Sequence, residues 1–561
     1  MTGGSSRRGL PLVESPQTKQ NHSLSLTRQN PRRFLPFPSF WSGGGGVSPE
    51  KTAMAREGGM CSGEQEALMG RLLFYTHHVI PDLPVSVDGD LCILFDADGG
   101  GVDRLSRLPD SLLGNIVSRL PIKDAARTAA LSRRWRPIWC SAPLVLVDAH
   151  LLPASEDQIP KHVDHAESSA VAAAVSRILA THPGPIRFVH ITCCYMNEFP
   201  GQFVRWLKHL AVKGVQELFL INRPWPLESL VKHMPATIFS MATLTRLYLG
   251  FWRFPDTASL PRGAAFPYLR ELSLCSVVIE PRDIDFVLAR SPVLHTLCIH
   301  GHLFPSLRLR LVSQSLQCVQ LLAVDVETIA VVDAPRLERL IVSKRESSCK
   351  INIGRAPSLR LFGFVELGND VLQVGNTVIK AGTPAKPSAM VLSVKILALQ
   401  VRFGVCNDVK TLPNFLRCFP NLETLHIHSK EATESTGRLG LKFWQESGAI
   451  ECVQSRITML GFHDFRGGRS ELALLRFFVE SSQKLKVLVV AFAKGCVGSM
   501  DDVKSQVKAL FSGKKGLERC SVVVCENELS GGGAMWTFER GSEMSDPFGL
   551  FQCCSGCQFF V

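Results

Sequence analysis

The sequence lacks the features that mark membrane and secreted proteins. No apolar run reaches the roughly 18 residues that a membrane-spanning helix needs. No secretory signal stands at the front, and the 18 cysteines are spread along all 561 residues instead of being grouped as a disulfide framework. We therefore expect reduced thiols, no membrane partner, and a location in the cytoplasm or nucleus.

Motifs that carry catalysis are also missing. The sequence has no GxxxxGK[ST] loop, no GxGxxG after a predicted strand, no HExxH and no GxSxG. Single cysteines such as Cys275 and Cys298 have no histidine placed nearby to activate them, and a buried cysteine more commonly acts as a small hydrophobic residue. We expect a protein with no catalytic residues and no cofactor.

Two patterns fall short of a metal site. Residues 553–557 contain one C-x-x-C group, but a structural zinc site needs a second pair of ligands, so a flexible tail with free thiols is the alternative. His300 and His302, like His426 and His428, lie two residues apart, so each pair shares one face of a predicted strand. Ligation would need two such pairs brought together from distant repeats. No metal ligand is predicted.

Acidic residues are scarce at the beginning of the chain. Only Glu14 is acidic among the first forty positions, which are rich in Ser, Pro, Gly and Arg. Such a composition cannot bury enough surface to fold, so residues 1–100 are predicted to be a disordered leader. Two alternatives stay open: an organellar transit peptide, or a true start at Met54 or Met60.

The rest of the chain has the composition of a folded protein. Its hydrophobic content is 45%, and its length predicts two to four domains. The net charge of +12 comes from scattered lysines and arginines. A solvated basic surface is the simplest interpretation, and no nucleic-acid partner is predicted.

The stretch from Leu105 to Trp139 predicts three short helices. Apolar residues with helical spacing run from Leu108 to Leu120, and the pattern stops at Pro121 and then restarts. Asp110 and Ser111 are a capping signal for the first helix. About 35 residues are too few to bury a core, so the module needs a partner or is a fragment of a larger domain.

These residues carry a family resemblance. Leu-Pro at 108–109 and again at 120–121, Ala-Ala-x-Thr at 125–128 and Leu-Ser-x-x-Trp from 131 resemble the F-box. The resemblance implies docking on the Skp adaptor of cullin–RING ubiquitin ligases. The residues expected to bind the adaptor are Leu108, Pro109, Leu112, Ile116, Leu120, Pro121, Leu131, Trp135 and Trp139.

A repeat follows the F-box-like module. The frame L-x-x-L-x-L, with conservative replacements, recurs ten times between Ile186 and Ile427. From Leu218 to Phe362 its central positions are 29, 25, 25, 22, 21 and 22 residues apart, within the range of about 20–29 for leucine-rich repeats. The pattern predicts a solenoid with an inward L-x-L strand in each repeat, and a helix at 281–289 is one of the predicted return segments.

One element of regular leucine-rich repeats is missing. The Asn or Cys that normally follows the last leucine by three residues is replaced by Arg223, Trp252, Val277 and His302. We expect the coil to be irregular.

From Lys442 the sequence resembles the FBD region that closes many plant F-box/leucine-rich-repeat proteins. Phe-x-Gly, Glu-Leu and a Phe-Phe-Val helix beginning near Ser470 carry the likeness. Two more strand frames, Ile457–Phe462 and Leu485–Val490, predict that this region caps the open end of the solenoid. The resemblance covers residues 105 to about 524.

The predicted fold is therefore α/β. It consists of a three-helix F-box, an irregular leucine-rich-repeat solenoid with short parallel strands on the concave side and helices or loops on the convex side, and an FBD-like cap. The predicted boundaries are 1–100 for the leader, 104–148 for the F-box, 149–435 for the repeats, 436–540 for the FBD-like region and 541–561 for the tail.

The strand residues between the leucines form a predicted concave strip. They include no lysine, arginine, aspartate or glutamate, which argues against nucleic acid. The strip suits an aromatic or apolar peptide, a small ligand, or packing against another segment, unless it merely reflects strand propensity. The candidate substrate contacts are Phe219, Tyr248, His300, His426 and His428.

The predicted function is recruitment of a protein substrate, whose identity is unknown, to a cullin–RING ubiquitin ligase. The resemblance implies a non-catalytic subunit that reaches cullin and the RING protein through the Skp adaptor. The alternative is an F-box-containing scaffold or decoy that binds the adaptor without forming an active ligase.

Overall fold

The computed structural model describes most of the chain from residue 62 onwards. The described residues are 62–84, 105–152, 163–224, 232–301, 306–344, 347–383, 389–432, 434–493, 505, 507, 520–526, 536–543, 545–549 and 558–560. The predictions for residues 1–61, including the transit peptide and the alternative starts, and for the C-x-x-C group lie outside them.

Twelve α-helices are found in these residues. They are Ser62–Val79 (α1), Asp110–Val117 (α2), Ile122–Thr128 (α3), Trp135–Ser141 (α4), His165–Thr181 (α5), Pro200–Val212 (α6), Pro281–Arg290 (α7), Cys406–Arg417 (α8), Leu441–Glu446 (α9), Glu451–Ser455 (α10), Arg469–Ser481 (α11) and Phe538–Ser542 (α12). Within the described residues, no helix combines the length and the apolar character needed to cross a bilayer.

The leucine frames form one sheet of 15 strands, parallel except for its last pair. In spatial order the strands are Leu144–Val147 (β1), Ile186–Ile191 (β2), Glu217–Ile221 (β3), Arg246–Gly250 (β4), Glu271–Cys275 (β5), Thr296–His300 (β6), Cys318–Val324 (β8), Arg339–Lys344 (β10), Leu361–Glu366 (β12), Ile396–Arg402 (β15), Thr424–Lys430 (β16), Met459–Phe465 (β17), Val487–Phe492 (β18), Ser521–Glu526 (β19) and Gln558–Phe560 (β20). The predicted solenoid is confirmed, and the two C-terminal frames continue its sheet.

The return segments are not all helices or loops. Between β6 and β15 they form a second sheet of five strands, in the order β14-β13-β11-β9-β7. These strands are Leu307–Val312 (β7), Val326–Asp333 (β9), Lys350–Arg355 (β11), Val371–Val374 (β13) and Thr377–Ile379 (β14). The repeats that contain β7, β9 and β11 are 21 or 22 residues long, too short for a strand, a helix and two turns. β13 and β14 lie in the longer repeat from Phe362 to Leu397. In β7 alternate leucines are buried while Arg308 and Arg310 are exposed, the period of a half-buried strand.

Backbone hydrogen bonds replace the missing side-chain ladder. After several strands the next N–H donates to the carbonyl at the end of the neighbouring strand. These bonds are Asn222 N to Gly250 O (3.0 Å), Phe251 N to Cys275 O (3.0 Å), Ser276 N to His300 O (2.7 Å) and Gly301 N to Leu322 O (2.9 Å). Trp252 and Val277, at the ladder positions, are buried in the core instead.

A single hydrophobic core connects the F-box helices to the repeats. It runs from Leu113 in α2 through the leucines of every frame to Val524 in β19. Helix α3 packs against β1, the first strand of the sheet. The F-box helices therefore cover the N-terminal end of the solenoid and bury part of their apolar surface there.

Two segments differ from the predicted leader and tail. Helix α1 lies within residues 1–100, and Leu68, Leu73, Thr76 and Val79 bury a stripe along it with helical spacing. Residues 536–549, which include the beginning of the predicted tail at 541, are packed with Phe538 and Phe548 buried. Each segment buries apolar side chains against a face of the sheet that the sequence predicts to be open.

Candidate functional site

Two prolines precede the first two F-box helices, and one arginine connects the third helix to the first. Pro109 and Pro121 occupy the positions just before α2 and α3 with extended backbone conformations. No side chain caps α2, so the predicted cap is not formed, and Asp110 accepts a bond from Arg134 Nε instead (2.8 Å). Arg134 also donates to the carbonyl of Leu108 (2.6 Å), which connects the third helix to the start of the first.

Four large apolar residues of this module are exposed. The exposed fraction is 53% for Leu105, 51% for Leu112, 36% for Ile116 and 67% for Leu131. These four are a large share of the exposed large hydrophobic residues among those that the structure describes. Leu112 and Ile116 lie four residues apart and so share a helix face. Leu105 was not among the predicted contacts. The signal that could have identified it is its position shortly before the Leu-Pro pair of the F-box motif.

Other predicted adaptor contacts are buried or half-buried. Trp135 is only 7% exposed and belongs to the core, and α4, which it begins, packs against α2 and α3. Leu108, Leu120 and Trp139 are half-buried and pack against the same core. The Trp139 ring meets His182 edge-on at 4.9 Å between centroids. The structure thus buries the Trp135 side chain, and its role in adaptor binding stays a prediction.

The predicted concave strip exists as a separate layer of the sheet, called the strip face below. Phe219, Tyr248, Cys275 and Cys298 form an apolar cluster distinct from the leucine core. The rings of Phe219 and Tyr248 stack at 4.2 Å between centroids. The tyrosine hydroxyl donates to Glu271 (3.1 Å). The alternation of faces predicted from the L-x-L frame is correct for these strands. It is wrong in β12, where a register shift after Phe362 places Phe364 with the strip cluster and Val365 in the leucine core.

The strip face is not open to solvent, which corrects the prediction. Phe219, Tyr248, His426 and His428 are all buried, and only His300 is partly exposed. Packing against another segment, one of the alternatives open from the sequence, is what the structure has. The role of these residues in substrate binding stays a prediction.

Helix α1 covers one end of the strip face. Leu68, Met69 and Leu73 pack with Ile221 and Phe251, at the ends of β3 and β4. Further along, Val79 and Ile80 join the cluster that contains Val145 and Phe188. The helix has helical periodicity in a region whose overall composition predicts disorder, so the residue pattern was a better signal than the composition.

Residues 536–543 and 545–549, called the C-terminal segment below, cover the middle of the strip face, from β4 to β16. Gln320 Nε2 donates to the carbonyl of Phe538 and to the hydroxyl of Ser542, both at 2.9 Å. The Gln320 carbonyl oxygen accepts from the indole N–H of Trp536, also at 2.9 Å. A single amide side chain thus makes three bonds to the segment.

Arg339 makes the remaining main-chain contacts. Its Nε donates to the carbonyl of Gly541 (2.7 Å), and its Nη2 donates to the carbonyl of Ser545 (3.1 Å). Neither Gln320 nor Arg339 was selected as a site residue. The signal was present: Gln320 is an isolated amide in an apolar strip, and Arg339 lies two residues before Ile341, hence on the same face.

Three histidines and an aspartate form a buried cluster under this segment. Asp546 Oδ2 lies 2.8 Å from His426 Nε2, and His426 Nδ1 lies 3.0 Å from His463 Nε2. Burial alone would raise the pKa of Asp546, but bonding to His426 outweighs it and the net pKa is below its ordinary value. Asp546 thus pairs with His426, and His426 in turn lies within hydrogen-bonding distance of His463.

Two of these histidines, His428 and His463, are held neutral. Burial, with a smaller contribution from His426, lowers the pKa of His428 to about 3. Burial also lowers the pKa of His463 well below its ordinary value, and both other histidines add to this effect. The rings of His428 and His463 stack at 4.3 Å between centroids. In the residues that the structure describes, no group of three or more His, Cys, Asp or Glu is arranged to hold a metal ion.

The cysteines of the strip face are poor nucleophiles. Burial raises the pKa of both Cys275 and Cys298 far above the ordinary thiol value. Burial raises the pKa of Cys318, whose thiol faces Gly541, to about 11. A thiol that stays protonated does not attack, so these side chains act as small apolar residues.

Comparisons with known protein families match three regions. A model described as F-box domain matches residues 105–146, one described as FBD-associated F-box protein At5g56370, LRR repeats, matches 203–427, and one described as FBD matches 445–490. The F-box and repeat domains together indicate a substrate-adaptor role in ubiquitination, a role that F-box proteins perform without catalysis of their own. An F-box also indicates binding to a Skp-type adaptor.

Several proteins of Arabidopsis thaliana are similar to this chain. The F-box/FBD/LRR-repeat protein At1g13570 is 25% identical over 408 residues, which cover 70% of this chain and 92% of the relative. The F-box/LRR-repeat protein At3g60040 is 32% identical over 214 residues, 36% of this chain and 46% of the relative. From the F-box, the leucine-rich repeats and the FBD in this order, the chain has the domain organisation of plant F-box/FBD/LRR-repeat proteins.

Proposed function

We propose that this protein is the substrate-recognition subunit of a Skp–cullin–F-box ubiquitin ligase. The F-box helices bind the Skp adaptor, the adaptor connects them to cullin and the RING protein, and the repeats hold the protein substrate. The reaction is accelerated by proximity, because a bound substrate lysine is kept near the charged ubiquitin-conjugating enzyme. We expect this to occur in the cytoplasm or nucleus.

The observation that carries the proposal is the division of the F-box surface into two parts. Trp135 and its neighbours bury one side in the core shared with the repeats. Leu112, Ile116 and Leu131 remain exposed on the other. Burying a large apolar side chain contributes about 1.5–3 kcal/mol, so a few such residues suffice for a stable interface.

The shared core also has a mechanical consequence. Since the F-box packs directly on β1, the adaptor and the strip face are held on one continuous structure. A substrate bound to the repeats is therefore presented at a defined distance from the adaptor, which is what catalysis by proximity requires.

Exposed leucines test the adaptor interface. Leu112→Ala with Leu131→Ala should weaken binding of a purified Skp-type adaptor by at least tenfold, because each truncated anchor costs 1 kcal/mol or more, about fivefold. Isothermal titration against the full chain measures this. Leu392→Ala is the matched control, since Leu392 is 62% exposed but lies in the repeats. Unchanged affinity in the double variant would contradict the proposal.

Trp135→Ala separates binding from folding in the same assay. It should lower the melting temperature because it removes a buried side chain, whereas the Leu112 and Leu131 variants should melt like the wild-type chain. Co-precipitation of cullin with the adaptor distinguishes a ligase subunit from a decoy: adaptor without cullin supports the decoy and overturns the ligase assignment.

A further inference from the structure

The C-terminal segment is held on the strip face in the way that a receptor holds a peptide. It consists of the single helical turn Phe538–Ser542 and a loop. Gln320 and Arg339 of the strip face donate to main-chain carbonyls of the segment. Side-chain bonds to the main chain, together with pockets for selected side chains, are how domains bind extended peptides.

Two aromatic residues and one acid anchor the segment. Phe538 lies 6.4 Å from Tyr248 between ring centroids. Phe548 meets Phe364 edge-on at 4.8 Å. Between them Asp546 pairs with His426 at 2.8 Å. The strip face, which carries no acidic or basic residue between its leucines, thus selects two aromatic rings and one carboxylate.

The segment also has internal order that does not depend on the sheet. Arg540 Nε donates to the carbonyl of Pro547 (2.9 Å), and its Nη2 donates to the carbonyl of Gly549 (2.8 Å). Thr537 accepts from the backbone N–H of Arg540 and caps the turn. These bonds close the loop and reduce the entropy lost when it binds.

Gly541 lets the segment approach the sheet closely. A Cβ at this position would collide with the carboxamide of Gln320. That carboxamide cannot turn away cheaply, because both of its ends are hydrogen-bonded to the segment. A methyl group here should therefore displace the segment, while Arg339 loses its partner at the Gly541 carbonyl.

We propose that the strip face is a peptide-binding surface and that the C-terminal segment is a built-in copy of its ligand. The partner is a protein segment with two aromatic anchors, a glycine between them, and an aspartate shortly before the second aromatic residue. The inference rests on the proposed function, since it names the class of substrate that the repeats recruit. Such a substrate binds by taking over the bonds that the C-terminal segment makes.

The strength of the competition between the C-terminal segment and a free peptide can be predicted. A tethered ligand acts at an effective concentration on the order of millimolar, so it suppresses binding of a free competitor. The probe is a synthetic, fluorescently labelled peptide of residues 536–549, titrated into the full chain. We expect Gly541→Ala in the full chain to bind this probe at least tenfold more tightly than the wild-type chain. Gly263→Ala is the matched control, because nothing lies within 4 Å of its added Cβ.

Two further arms test the chemistry of recognition. Adding Arg339→Gln to the Gly541→Ala chain should abolish the gain in affinity. Probe peptides with Phe548→Ala or Asp546→Asn should bind at least tenfold more weakly than the unchanged probe. If Gly541→Ala does not fold, as judged by its melting curve, Phe548→Ala with Asp546→Asn in the full chain displaces the segment instead.

The outcomes separate this inference from the proposed function. No gain in probe affinity in a folded displaced variant, or a gain that survives Arg339→Gln, overturns the inference and identifies the segment as a permanent part of the fold. Adaptor binding is measured in the same samples. A chain that binds the adaptor but not the probe overturns the inference alone, and a chain that binds the probe but not the adaptor overturns the proposed function alone.

Discussion

At the scale of single residues, burial changes what the histidines can do. His428 and His463 lie in the sheet and are stacked on each other beneath the C-terminal segment. A histidine at the surface gains charge near pH 6.5, but burial keeps these two neutral well below that pH. The sequence predicted His428 as a contact on a binding surface, whereas the structure makes both His428 and His463 neutral packing groups.

These shifted histidines predict that stability falls as the pH falls. Because the pKa of His428 is about 3 in the folded chain and about 6.5 when unfolded, only the unfolded chain takes up this proton between these values. Folding stability from this group is thus fully present above pH 6.5 and decreases below it. The free energy of unfolding in urea should be lower at pH 5.5 than at pH 7.5.

His428→Gln should reduce that pH dependence. The exposed His209 provides the control, and His209→Gln should leave the slope of stability against pH unchanged. A wild-type chain that is equally stable at both pH values, or more stable at pH 5.5, would contradict the assignment of buried neutral histidines.

At the scale of elements, the shortest repeats form their return segments from strands. The repeat from Leu272 to Leu297 spans 25 residues and contains helix α7. The next repeats of 21 and 22 residues use strands of the second sheet instead. The alternating LRLRLV of β7 was visible in the sequence, and it indicates a strand with one face buried.

The two faces of β7 should differ sharply in their tolerance of substitution. Leu309→Ala removes a buried side chain and should cost about 2–5 kcal/mol of unfolding free energy. Arg310→Ala, one position along and exposed, should change it by no more than about 0.5 kcal/mol. Chemical denaturation of the two variants measures the difference. Equal losses of unfolding free energy would contradict the assignment of the buried and exposed faces of β7.

At the scale of the whole molecule, the F-box is the first layer of the solenoid. Val117 of α2 and Leu144 of β1 belong to the core that continues through all the repeats. In a repeat array each unit is stabilised mainly by its neighbours, so a change in one layer weakens the adjacent layers most. The F-box and the first repeats should therefore open together.

Hydrogen exchange tests this coupling. Val117→Ala, at a position with no solvent exposure, should accelerate amide exchange in β1 and β2. Exchange in β17 and β18, at the other end of the sheet, should not change. Acceleration confined to the F-box helices would show that the F-box is an independent domain, contrary to the shared core.

The sequence by itself determined the features that depend on short-range periodicity. Ten leucine frames predicted ten strands in one parallel sheet, and the F-box and FBD motifs predicted what stands at each end. Such patterns are local, because the inward residues of a strand or helix repeat every 2 or 3.6 positions. That Leu218 and Phe219 lie on opposite faces of the sheet follows from this periodicity alone.

Only the tertiary structure decided what covers the second face of the sheet. Tyr248 and His426 are buried because Phe538 and Asp546 reach them from much later in the chain. No local pattern encodes that contact, since it depends on which distant segments have complementary rings, carbonyls and charges.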